Sequence, residues 1–87
     1  MAAQQIKDKI YHVLKNGYFN HNNDLVDVSD GSYDYIHLVI VSRKFDGQRV
    51  KERHELIWDE LGKNLVPEEW GQISLTIGVS PEDIKGH

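Results

Sequence analysis

Two groups of residues in this sequence are of types that do chemistry. The first is a run of cations, Arg43, Lys44, Arg49, Lys51 and Arg53, interrupted by Asp46 and Glu52. Two readings stay open for it: an ordinary solvated turn and helix start, or a contact surface for an acidic partner or a phosphate. Cations at a helix start oppose the helix dipole at a cost of about 0.3–1 kcal/mol each, which favours use over accident. The free N–H groups of such a helix start also offer donors to an anion. The second group is the five histidines, His12, His21, His37, His54 and His87. None is spaced as H-x3-H or H-E-x-x-H, so no dedicated zinc site is expected. His54 falls on an apolar helical stripe and reads as a half-buried histidine satisfied by a structural hydrogen bond. His37 lies in a strand, toward the open face of its sheet.

Several classes of function are excluded or disfavoured. The chain has no Cys, hence no disulfide framework, thiolate nucleophile or Cys-held metal of its own. It has no carboxylate pair, Gly-rich phosphate loop or nucleophile elbow, so it is read as a non-enzyme with no small-molecule substrate. Glu68-Glu69 and Glu82-Asp83 sit at helix starts, where the dipole explains them. The net charge of −4 argues against a surface wholly given to nucleic acid, though not against a local basic face. The cations lack the interleaved aromatics of a single-strand binder. The opening MAAQQIKDKIYHVL is amphipathic and carries no continuous apolar run, so neither a signal peptide nor a membrane span is expected. Cytoplasmic placement is the expectation.

The elements that must position these residues follow from periodicity. At 87 residues the chain is one domain with a small core. Ala3 to Asn16 reads as a helix, with Ile6, Ile10 and Val13 at helical spacing and Gly17 as its cap. Leu25 to Val28 is a short strand closed by the turn Ser29-Asp30-Gly31-Ser32. Tyr33 to Ser42 is the next strand, an inner one, antiparallel to the first. Gly47 reads as a turn residue at positive φ. Gln48 to Lys63 is a helix with Val50, His54, Ile57 and Leu61 on one stripe and Trp58 beside it. Pro67 to Trp70 is a short helix opened by proline, and Trp58 and Trp70 read as core edges. Ile73 to Val79 alternates, with Ile73, Leu75, Ile77 and Val79 expected on one face. Ser80-Pro81-Glu82-Asp83 is an N-cap and helical turn. The predicted fold is α+β in the order α-β-β-α-α-β, a three-stranded sheet with its helices packed on one face.

Strand-VS-x-x-F-x-G-x-x-x-x-x-R-H, present as Val41, Ser42, Phe45, Gly47, Arg53 and His54, resembles the signature of the BolA-like family. The order of elements also matches that family's class II KH-like fold, over nearly the whole chain. The resemblance implies an adaptor that pairs with a monothiol glutaredoxin in iron–sulfur cluster handling or in redox and stress regulation. The alternative it implies is a KH-like, DNA-binding transcription regulator, although the Gly-x-x-Gly clamp of KH modules is absent here.

In the cluster-bridging members, the resemblance implies two ligands: a His or Cys in the loop between the first two strands, and a His at the start of the last strand. This chain has Ser29-Asp30-Gly31-Ser32-Tyr33-Asp34 in the first place and Gln72 near the second. A carboxamide is a poor ligand for the iron of a thiolate cluster. The chain is therefore expected to bind no cofactor alone and to lack the usual ligands for a cluster shared with glutaredoxin. His37 is a weaker alternative ligand.

Overall fold

The computed structural model describes residues 3–85, so His87 lies outside the description. Helix α1 spans Gln4–Lys15. Strands β1, Leu25–Asp30, and β2, Ile36–Val41, follow. Helix α2 covers Val50–Asn64 and the short α3 covers Pro67–Trp70. Strand β3, Ile73–Val79, leads into the final helix α4, Pro81–Lys85.

The sheet has the order β1-β2-β3. Strands β1 and β2 are antiparallel, with Val26 opposite Ile40 and Val28 opposite Leu38. Strand β3 runs parallel to β2, which requires the long crossover through α2 and α3. The central position of β2 explains its apolar run. Ile36, Leu38 and Ile40 are fully buried under the helices, and the residues between them face the other side of the sheet. Ile10 and Leu14 of α1 and Ile57 and Leu61 of α2 complete that core, together with Phe19 and Phe45. The predicted α+β architecture, with helices on one face, is what forms.

Four local expectations need correction. First, β1 continues through Ser29 and Asp30, which pair with His37 and Ile36. The turn occupies Ser32–Asp34 instead, with Tyr33 and Asp34 at φ 55° and 66°, so β2 starts at Ile36 rather than Tyr33. Cross-strand pairing outweighs the turn preference of Ser-Asp.

Second, the buried stripe of α2 is rotated. Ile57 and Leu61 are buried, but Val50 is 82% exposed and His54 is exposed. Phe45 is fully buried beside Gly78 and the Arg53 stem. The Arg53 stem packs against Gly78, where an added Cβ would meet Phe45 at 3.1 Å and Arg53 at 3.2 Å.

Third, the alternation of β3 breaks. Ile36 pairs with Ile73 but His37 pairs with Leu75, a bulge that leaves Ser74 unmatched. Ile73 is therefore in the core, whereas Leu75 and Ile77 lie on the open face at 41% and 42% exposure.

Fourth, α1 is capped by Asn16 in the right-handed region. Gly17 follows at a point where a Cβ would collide with the Val13 carbonyl.

Candidate functional site

Ser42, Phe45, Gly47, Arg53 and His54 come together where β2 turns into α2. Ser42 is fully buried, and its hydroxyl accepts from the Lys44 N–H at 3.1 Å, closing a single 3₁₀ turn over Arg43–Phe45. Phe45 packs on Phe19 with ring centroids 5.6 Å apart. Gly47 carries the expected positive φ, 73°. Glu52 accepts from the Arg49 N–H at 2.8 Å and starts α2.

Arg53 is the tie of the region. Its Nε donates to the Gln48 carbonyl at 2.9 Å, and its Nη1 donates to the Gly78 carbonyl at 3.1 Å and to Asp83 at 2.5 Å. It thereby joins the turn, the end of β3 and the start of α4. The Arg53 guanidinium holds the Asp83 carboxyl below the usual carboxylate range, aided by the Ser80 N–H. Ser80 is buried and donates its hydroxyl to Asp46, a second link between the Phe-x-Gly turn and α4. The cap at Ser80 was legible in the sequence; its partners Asp46 and Arg53 were not.

The basic residues do not form one patch. Lys44 is drawn inward, 3.4 Å from Asp24 and 5.1 Å from the Tyr18 ring centroid. Burial works to raise the Asp24 pKa, but bonds from Ser42, Lys44 and the His21 N–H outweigh it and leave the group below its ordinary value. Arg53 is committed to Asp83. Arg43, Arg49 and Lys51 are exposed and make no ion pair with any described residue.

His54 belongs to a small groove rather than to the core. Its Nδ1 lies 3.2 Å from the Thr76 hydroxyl, which also accepts from Trp58 Nε1 at 3.2 Å. Since the indole can only donate, the Thr76 hydroxyl keeps its own proton for a bond to His54 Nδ1 in the tautomer that leaves that nitrogen as an acceptor. A cavity of about 130 Å³ opens beside this trio, lined by Val50, Arg53, His54, Thr76, Ile77 and Gly78. Trp58 is half-buried against the core, as expected, whereas Trp70, which it meets edge to face at 6.0 Å, is exposed. The sequence placed His54 and Val50 on the buried stripe and did not single out Thr76, because the rotated helix and the bulge decide all three positions.

The solved structure of a bolA protein homologue from Coxiella burnetii matches this chain with a TM-score of 0.56, over 98% of this chain and 99% of that one. The fold is BolA-like. Sequence identity to that structure is 19%, so the BolA-like likeness is one of fold. No family model matches the chain, and no curated protein matches its sequence.

Within the BolA-like frame, Gln72 and His37 lie at the same end of the sheet, since Ile36 and Ile73 pair there. The Gln72 side chain does not point out as a strand residue would; its Nε2 donates to the Glu68 carbonyl at 3.0 Å. His37 is half-buried on the open face, and its imidazole lies where a Cβ on Gly31 would be. Among the described residues no group of three or more His, Cys, Asp or Glu is placed to hold a metal ion. The donors near Gln72, an amide and one imidazole, do not fit the two-ligand share of a bridged iron–sulfur cluster. No described helix is long and apolar enough to cross a membrane.

Proposed function

We propose that the protein is a non-enzymatic adaptor that binds a monothiol glutaredoxin through the surface around the start of α2, without supplying the usual cluster ligands. The iron–sulfur cluster is the partner's cargo in this reading, and the chain's own part is recognition. The observation that carries it is a BolA-like fold of nearly full length in which the turn after β2 and the start of α2 present three cations unpaired among the described residues, Arg43, Arg49 and Lys51. Their exposure on a protein of net charge −4 gives one local face able to attract an acidic surface.

Calorimetric titration of a monothiol glutaredoxin into the protein tests this. A saturable complex is expected, weakened by Arg49→Glu combined with Lys51→Glu and more strongly bound at low salt. Absence of binding by the unaltered protein overturns it. The nucleic-acid alternative ranks second because of the overall charge and the engagement of Lys44 and Arg53 in ion pairs.

A further inference from the structure

We propose that the groove between the start of α2 and the outer edge of β3 binds an acidic, extended segment of the partner as an added strand, with one aliphatic side chain in the cavity. This rests on the adaptor reading and specifies how the same surface is used.

The backbone supplies the first reason. Strand β3 has β2 as its neighbour on one side and, among the described residues, no strand on the other. The Val79 carbonyl accepts from the Ser42 N–H and so faces β2. The Gly78 carbonyl faces the opposite way and is taken by Arg53. By strand alternation Thr76 presents its N–H and C=O to that same outer edge. With the Gly78 carbonyl already engaged, Thr76 is the edge position left to template an added strand. The strand sequence ISLTIGV carries neither the Lys nor the Pro that would block one.

The side chains supply the second reason. Val50 is 82% exposed and lines the cavity. An aliphatic side chain of the occupant seated beside Val50 would remove its apolar surface from water.

Charge selects the occupant. Arg49 and Lys51 flank Val50 in sequence and make no ion pair with any described residue. An acidic segment is repelled by most of a protein of net charge −4 and attracted here. A nucleic-acid backbone needs a longer run of cations, and the cavity lining offers no aromatic side chain besides His54 for stacking.

The probe is a short synthetic peptide alternating leucine with aspartate and glutamate, titrated into the ¹⁵N-labelled protein. Saturable amide shifts are expected at Val50, His54 and Thr76 to Gly78. Val50→Asp, at an exposed position, should weaken binding by about tenfold or more, as should Arg49→Glu with Lys51→Glu. Methylating alternate peptide amides should abolish binding in the edge-facing register and spare it in the other. Shifts confined to another surface, equal effects of methylation in both registers, or tighter groove binding by a single-stranded oligonucleotide would overturn the proposal. A glutaredoxin titration run beside it separates the two readings. Glutaredoxin binding without peptide binding, unaffected by Val50→Asp, overturns strand addition alone; no glutaredoxin binding overturns both.

Discussion

Arg53 and Asp83, thirty residues apart in sequence, meet at 2.5 Å and join the first turn of α2 to the first turn of α4. The guanidinium also occupies the carbonyls of Gln48 and Gly78, so one side chain fixes the turn, the strand end and the terminal helix together. Removing it should cost more than removing an ordinary surface ion pair. Arg53→Ala is expected to destabilise the fold by about 2 kcal/mol, from lost charge-assisted bonds and lost stem packing. Arg53→Lys should recover only part, because an ammonium cannot reproduce the fork. Urea denaturation of the three proteins checks this order.

Acid should loosen two places, the Arg53–Asp83 corner and the Lys44–Asp24 pair. Asp24 and Asp83 both sit below their ordinary value of 3.8 in the folded protein. A carboxylate depressed on folding binds protons more readily when unfolded. Its stabilisation is therefore complete above the unfolded value and is lost as pH falls through the folded one. Thermal midpoints should begin to drop below about pH 4. The drop should be shallower in Asp83→Asn, which has already lost that contribution. An unchanged acid slope in this variant would remove Asp83 from the explanation.

Two glycines should respond differently to alanine. Gly47 has φ 73° and nothing within 4 Å of an added Cβ, so Gly47→Ala should cost about 1 kcal/mol, all of it conformational. At Gly78 the Cβ would meet Phe45 at 3.1 Å and the Arg53 stem at 3.2 Å. Gly78→Ala should cost about 1–3 kcal/mol by overpacking and should shift the amide resonances of Phe45 and Arg53. Equal costs without such shifts would contradict the packing described.

Replacing Gln72 should change chemistry more than stability. Its amide makes one exposed bond to the Glu68 carbonyl, so Gln72→His should fold normally. Imidazole is a competent ligand where the amide is not. In the presence of a cluster-loaded monothiol glutaredoxin, the variant should lengthen cluster lifetime relative to the unaltered protein. An unchanged lifetime would mean that position 72 does not face the cluster.

The order of elements was legible because each is bounded by strong local signals: Gly17, Gly47, Pro67 and Pro81 punctuate clean periodicities. The bounds of β3 were legible for the same reason, and its faces were not. One unmatched residue at Ser74 turns Leu75 and Ile77 to the open side, and periodicity carries no trace of a bulge. The signature residues likewise stood out in sequence, but not what they do. Arg53 belongs to a tie across long range, Lys44 to a pair with nearly buried Asp24, and only Arg43, Arg49 and Lys51 remain outward and unpaired among the described residues. Val50 looked like core because helical spacing aligned it with Ile57 and Leu61. Instead Phe45 is buried beside Gly78 and the Arg53 stem, while Val50 faces solvent.

The most direct measurement is visible circular dichroism of a cluster-loaded monothiol glutaredoxin as this protein is titrated in. An adaptor lacking the usual ligands predicts complex formation, detected in the same samples by sedimentation, with the cluster's thiolate-type spectrum retained. No complex, or a saturable change to the spectrum of an imidazole-ligated cluster, would contradict it; the second outcome would assign the ligand to a histidine of this chain, with His37 the first to replace.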